Sequence, residues 1–411
     1  MPATQLNIVS QLAALIGAEH VHTNEDTVIV SPGDTLQVSE ILRYANENAL
    51  TVTPIGGGTK QTWGNPTKTD IHLSLSRLNR VLEHPWQDLT CTVQAGCTWQ
   101  HLQETLKQHG QFVALDPLWP ERATVGGVLA TNDSGALRHR YGSLRDLVIG
   151  MTLVLADGTV ARSGGRVVKN VAGYDLCKLL TGSFGTLAVI TEATFRLHPL
   201  PQHTQTFTVS APQAQQLAPL MASIRASHLL TQALQLRGDA NGFHLDVQLD
   251  AHPEAKQDEI LYEMVDAARF KVDAQLASVS PLSNPSNWHF APGSLEDVKT
   301  ARESLFQENA TIIKLSVLPS ELGEYLDHMK WAPDVEVACV AQSTGIIYAS
   351  LEGTPAAVEN YVQTIKTNLT VLASSTNGKR QKASPNVLPL MQAVKHQFDP
   401  QNTLHPVSWF S

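Results

Sequence analysis

This 411-residue sequence is short of several things that would assign it quickly. It has four cysteines, Cys91, Cys97, Cys177 and Cys339. None forms a C-x-x-C pair, which removes zinc ribbons and cysteine-ligated iron–sulfur clusters. They read as buried small apolar residues. Basic charge is also scarce: 29 Lys and Arg stand against 38 Asp and Glu, a net charge of −9. That balance argues against a nucleic-acid binder, which carries a basic face. No run approaches the ~20 apolar residues of a membrane span. The opening "MPATQLNIVSQLAALIGAEHVHT" lacks a basic region followed by a long apolar one, so a secretory signal is not expected. With 42% apolar and 16% charged residues, the chain has the composition of a folded globular protein. Its length suits two or three domains.

Glycine is where the sequence becomes informative. In "PIGGGTK", Pro54 to Lys60, three glycines follow a short strand pattern, "TVTPI". Three in a row weaken any regular element, so they belong where a ligand approaches the backbone or φ turns positive. A nest of N–H groups suits phosphate. The Walker A spacing is missing, and the sixth residue from Gly56 is Gln61, so the G-x-G-x-x-G dinucleotide fingerprint fails too. Two further stretches read as backbone-rich loops. "TVGGVLATNDSG" offers Thr124, Gly126, Gly127, Thr131, Asn132, Ser134 and Gly135, and "GSFGTLAVITEATF" opens with Gly182 and Gly185. Three such loops at strand ends suit one long ligand with a diphosphate centre.

Around them strands and helices alternate irregularly, which predicts an α+β fold. "SEILRYANENAL" and "TWQHLQETLKQHG" read as amphipathic helices, and "DIHLSLSRL" and "LTCTVQAG" as half-buried strands. "GMTLVLADGTVARSGG" reads as a hairpin turning at Asp157-Gly158. Prolines 199 and 201 mark a boundary. Beyond it, strand–helix order recurs in "TIIKLSVLPSELGEYLDHM" and "GIIYASLEGTPAAVENYVQTIK", a weak internal repeat consistent with a sheet covered on one face.

In order and spacing, "PIGGGTKQTWG", "LSLSRLNRVLEHPWQDLTCTVQAGCTWQHL", "LDPLWPERATVGGVLATNDSGALRHRYGSLRDLVIGMTLVLADG" and "VVKNVAGYDLCKLLTGSFGTLAVITEATFRL" resemble the FAD-binding (PCMH-type) domain of the vanillyl-alcohol oxidase superfamily. Within it, the chain is most similar to the E-type subunits of bacterial glycolate oxidases (glycolate dehydrogenases). The resemblance is specific over roughly residues 20–201 and looser to "MQAVKHQFDPQNTLHP". It implies an FAD domain over 1–201, a cap domain with an antiparallel sheet backed by helices over 202–385, and a segment 386–411 that packs back on the FAD domain. It implies that Pro54, Gly56, Gly57, Gly58 and Thr59 wrap the pyrophosphate, that Thr124, Gly126, Gly127, Thr131, Ser134 and Gly135 form a second cofactor loop, and that Gly182, Gly185 and Ile190 flank the cofactor's ends. Where some relatives carry a flavin-linking histidine, this chain has Thr59-Lys60-Gln61, so non-covalent FAD is expected. Ala188 replaces a glycine of the third motif.

The resemblance further implies oxidation of glycolate to glyoxylate in a heteromeric complex. There an FAD-binding D-type subunit carries the fuller substrate site and an iron–sulfur F-type subunit takes electrons onward. A cytoplasmic location follows, with membrane contact only peripheral, through partners. No complete catalytic set is evident after Leu200. Lys169 and His289 are the catalytic candidates, set against a salt bridge to Asp175 for the first and a loop-surface position for the second. His244 and His328 read as outward-facing, and no His-x-His or Glu-x-x-His pair points to a metal. Two other readings stay open: a self-sufficient FAD-dependent dehydrogenase for another 2-hydroxy acid such as D-lactate, and a structural subunit that has lost FAD.

Overall fold

The computed structural model describes residues 3–25, 27–63, 67–165, 174–250, 256–279, 288–293, 295–330, 334–365, 367–374 and 388–404. The chain divides into two compact units, one of residues 1–134, 142–200 and 383–411, the other of 135–141 and 201–382.

The first unit opens with α1 (Ala3–Ile16), β1 (Val21–Asn24) and β2 (Thr27–Val30), followed by α2 (Thr35–Glu47), β3 (Val52–Ile55) and β4 (Ile71–Ser74). Asp34 starts α2 by accepting a hydrogen bond from the Gln37 amide (2.8 Å), and the helix buries Val38, Ile41, Leu42 and Ala45. The strands pair in the order β1-β2-β4-β3, with β2, β4 and β3 parallel. Ile71, Leu73 and Leu75 point into the core and Asp70 and His72 away from it, the alternation of a half-buried strand.

Next come β5 (Val81–Glu83), β6 (Thr90–Gln94), α3 (Trp99–Lys107), β7 (Gln111–Phe112) and α4 (Val125–Thr131). Then α5 (Arg138–Tyr141), α6 (Leu144–Leu147), β8 (Val148–Val154), β9 (Val160–Gly164), α7 (Leu176–Leu180), β10 (Val189–Arg196) and β11 (His198–Pro199) follow. Of these, only α5 belongs to the second unit. An antiparallel sheet runs β5-β6-β10-β8-β9, and β11 pairs with β7. The β8–β9 hairpin turns at Asp157-Gly158, where Gly158 takes φ +85°. All four cysteines are buried and free. Burial pushes the Cys91 thiol up to about 12 and Cys97 to about 11, so both stay protonated at neutral pH.

The second unit reads β12 (Thr204–Ala211), α8 (Ala214–Ala226), β13 (Thr231–Asp239), β14 (Gly242–Asp250), α9 (Gln257–Val279) and β15 (His289–Pro292). After the short α10 (Leu295–Thr300) come β16 (Thr311–Ser316), α11 (Leu322–Lys330), β17 (Val335–Gln342), β18 (Ile346–Gly353), α12 (Pro355–Thr364) and β19 (Asn368–Ala373). One eight-stranded antiparallel sheet runs β15-β12-β14-β13-β17-β18-β16-β19. Each half is a βαββαβ unit, and the two join where β13 pairs with β17. The two stretches whose strand–helix order shows in the sequence, β16–α11 and β18–α12, both lie in the second half, and the first half has the same order in β12–α8 and β14–α9. Helices α8, α9, α11 and α12 share a single apolar core with one face of the sheet. Helix α13 (Leu388–Phe398) returns to the first unit. Among the described residues, no helix is long and apolar enough to cross a membrane.

Candidate functional site

The glycine loop leaves β3 at Ile55 and is pressed against the entry to α4. A Cβ on Gly56 would lie 2.0 Å from the Thr124 Oγ1, and one on Gly57 only 1.8 Å from the Arg122 carbonyl oxygen. Gly58 differs: its φ is +69° and a Cβ there would meet nothing within 4 Å. The first two glycines thus permit close packing, and the third supplies the turn and faces open space. Lys60 then points inward. Its Nζ lies 3.3 Å from the fully buried Asp133 carboxylate and 5.6 and 5.7 Å from the Trp63 and Trp119 ring centres. Asp133 also accepts a hydrogen bond from the Leu118 amide (2.7 Å). This ion pair ties the glycine loop to the chain that follows α4.

The second motif is a correction to the sequence reading. Val125–Thr131 is helix, not loop, with Thr124 as its N-cap. Gly126 is helical because nothing larger fits there: a Cβ would sit 2.9 Å from that of Ala95, and its amide donates to the Ala95 carbonyl (2.7 Å). The Val125 amide donates to Cys97 O and the Gly127 amide faces Thr124 Oγ1, so the first-turn donors of α4 are already engaged. What α4 offers is its flank, Gly127, Ala130 and Thr131. Thr131 is buried and donates to Gly127 O (2.8 Å). Ser134 is also buried, and Gly135 begins the 135–141 stretch of the second unit.

The third motif caps α4. Gly182 (φ +88°) donates to Leu129 O at 2.9 Å and Phe184 to Ala130 O at 2.8 Å, both carbonyls of the last helical turn. Gly185, at φ +73°, abuts Pro54. Ile190 lies farther on, buried in β10. Pro54, residues 56–61, the α4 flank and Phe184 thereby line one cleft. Beside it, the Asn132 Oδ1 and Ser183 Oγ are buried with no hydrogen-bond partner among the described residues. A second cleft also reaches Gly56 and Gly57, edged by Ser76, Asn79, Arg80, His101 and Arg122. A glycine turn shared by two clefts, with buried polar atoms awaiting partners, fits an extended ligand with a diphosphate at its centre.

Of the catalytic candidates, Lys169 lies outside the described residues. Nearby Asp175 caps α7 and pairs with Lys178 (3.0 Å). His289 is not in a loop: it is exposed on the edge strand β15, paired in register with Ser210. His244 is hydrogen-bonded to Ser210 Oγ (2.7 Å), and His328 is exposed on α11. No group of three or more His, Cys, Asp or Glu side chains among the described residues is placed to hold a metal.

The sheet of the second unit carries what the sequence reading passed over. Its face away from the helices is polar. Arg237 makes a two-pronged bond to buried Asp246 (2.6 and 2.9 Å), which also accepts from Thr208 and Gln235. In the other half, Tyr348 on β18 is fully buried and its hydroxyl has no partner among the described residues. The Arg302 guanidinium and the Lys314 ammonium flank its ring at 5.2 and 5.5 Å from the centre. Two cations thus lie beside one buried phenol on this polar face. The only sequence signal was the interruption of apolar alternation in "TIIKLS" and "IIYASL".

Known proteins resemble this chain over part of its length. Residues 27–164 match the family model described as "FAD binding domain". The chain is 36% identical over 235 residues (55% of this chain, 41% of the relative) to the mitochondrial D-lactate dehydrogenase [cytochrome] of Arabidopsis thaliana. It is 34% identical over 208 residues (50% and 44%) to glycolate oxidase subunit GlcD of Bacillus subtilis. It is 42% identical over 176 residues (43% and 39%) to a D-lactate dehydrogenase of Archaeoglobus fulgidus. The matched part spans only about two-fifths of the length of these curated relatives. In fold it resembles an alkyldihydroxyacetonephosphate synthase, with TM-score 0.72, 16% identity, and coverage of 98% of this chain and 85% of that one. Residues 27–164 are thus an FAD-binding domain of the vanillyl-alcohol oxidase (PCMH) type, and FAD is the cofactor of this chain.

Proposed function

We propose that the chain is an FAD-dependent oxidoreductase acting on a 2-hydroxy acid, as the FAD-binding subunit of a complex that oxidises glycolate to glyoxylate. The relatives' names, D-lactate dehydrogenase, glycolate oxidase subunit and D-2-hydroxyglutarate dehydrogenase, share one substrate chemistry: a carboxylate next to a carbon bearing a hydroxyl. The observation that carries the reading is the Arg302–Tyr348–Lys314 cluster. Arg302 and Lys314 would hold the carboxylate, and the Tyr348 hydroxyl would donate to a substrate oxygen. FAD, when bound, supplies the two-electron acceptor for the substrate C–H. Pro54, Gly56, Gly57, Gly58, Thr59, Gly127 and Thr131 would hold it without a covalent bond, because residues 59–61 offer no histidine.

A D-type FAD subunit and an iron–sulfur F-type subunit complete the assembly in this reading, in the cytoplasm and at most peripheral to the membrane. A second reading is favoured by the D-lactate dehydrogenases among the relatives: the chain turns over a hydroxy acid such as D-lactate by itself. The visible spectrum of the purified chain, followed by anaerobic glycolate and then D-lactate, separates the two. Flavin bands that persist until the partner subunits are added support the complex. Bleaching of the isolated chain by D-lactate supports self-sufficiency. A chain that stays colourless after incubation with FAD would sink both and leave a structural subunit.

A further inference from the structure

Residues 388–404 are separated in sequence from the rest of the first unit by residues 201–382 of the second, yet they reach both sides of the cofactor cradle. Lys395 on α13 is buried, and its Nζ donates to Thr186 O (2.9 Å), to Leu404 O (2.7 Å) and to the Asp399 carboxylate. Asp399 is fully buried and accepts the amides of Thr403 (2.9 Å) and Leu404 (2.7 Å). One ion pair therefore winds the end of α13 and the following turn into a fixed shape. Its burial holds the Lys395 ammonium below the usual lysine range, against the pull of Asp399.

The two arms of this knot end at the cradle. Thr186 closes the 182–186 turn, whose amides cap α4 and whose Gly185 abuts Pro54. On the other arm, the Val52 amide donates to Thr403 O (2.7 Å) and Asn46 Nδ2 to Thr403 Oγ1 (2.9 Å). Val52 opens β3, the strand that delivers Gly56. A buried ion pair gives up much of its attraction to desolvation, so it is a weak source of net stability. What this pair joins is the two sides of the cradle, the strand that leads to the glycine loop and the turn opposite it.

We propose that Lys395 and Asp399 are positioning residues for FAD: they clip β3 and the 182–186 turn together, so that cofactor retention depends on the docked 388–404 segment. This rests on reading the glycine cradle as the FAD site, and the test separates the two. In the full-length chain, Lys395→Met/Asp399→Asn removes both charges together and leaves neither one unpaired. The expected result is FAD binding weakened at least tenfold (about 1.4 kcal/mol) by flavin fluorescence quenching, with a smaller FAD-induced rise in Tm than the wild type shows. Equal falls of apo and holo Tm, with FAD affinity within twofold of wild type, would mean a structural pair only and overturn the proposal. Gly57→Ala is the control: if it binds FAD like wild type, the cradle reading fails and the proposal with it. Should the double variant not fold, hydrogen exchange on the wild type decides. FAD must slow exchange at the Thr403 and Leu404 amides along with those of Gly182 and Phe184. Protection confined to 182 and 184 overturns the clip.

Discussion

A methyl group on Gly57 would stand 1.8 Å from a backbone carbonyl, while one on Gly58 would stand in open space with φ at +69°. Neighbouring glycines therefore predict different phenotypes. Gly57→Ala forces the loop away from Arg122, costing the upper end of about 1–3 kcal/mol of packing strain, and should abolish FAD uptake. Gly58→Ala adds roughly 1–2 kcal/mol of backbone strain and should leave measurable, weakened binding. FAD content after purification and a titration of the apoprotein check both. At the carboxylate site proposed above, Lys314→Met should raise KM for the 2-hydroxy acid at least tenfold and leave the flavin spectrum intact. An unchanged KM would remove Lys314 from the substrate site. The glycines were legible because triplets are rare and their use is backbone-local. Lys314, Arg302 and Tyr348 were not, because their meaning lies in a cross-strand register (Lys314 opposite Tyr348) that no single stretch encodes.

Among elements, α4 shows how a physical cue can point to the wrong structure. Gly126-Gly127 carries a low helix propensity, and the stretch reads as loop on that ground. Tertiary packing decides otherwise, since the helix can lie against Ala95 only where Cβ is absent. His289 was misplaced for a related reason: its stretch is rich in proline and serine, yet the paired strand β12 draws residues 289–292 into the sheet. Helix α5 makes a prediction of its own. His139 hydrogen-bonds Ser343 (2.9 Å), and burial, then Arg225, then Arg140 lower its affinity for a proton. The unfolded chain, with an ordinary histidine, binds that proton more tightly, so the stability gained is full above pH ~6.5 and is lost as pH falls below it. Urea unfolding of the second unit should show this acid limb, and His139→Gln should flatten it.

For the molecule as a whole, two separate apolar cores predict two unfolding transitions. FAD at a hundred times its Kd adds about 2.7 kcal/mol to the unit that binds it, which for a unit of this size moves a midpoint by roughly 5–10 °C. Calorimetry should show that shift in one transition and not the other. A single transition moving as a block would mean that the units unfold together. The second unit takes in residues 201–382, and the strand–helix order read from the sequence recurs along both of its halves. The loan of residues 135–141 to that unit left no local trace, because it depends on contacts with β13 formed from far along the chain.

The split of the first unit also has a consequence for how the protein is made. Residue 388 leaves the ribosome long after residue 200, a delay of roughly 10–40 s at ordinary elongation rates. During that interval the strands of the nucleotide fold can pair, but β3 has no Thr403 to bond and the 182–186 turn has no lysine beneath it. Loading with flavin is then a late, post-translational event, and a polypeptide cut short within the second unit would leave synthesis without its yellow colour.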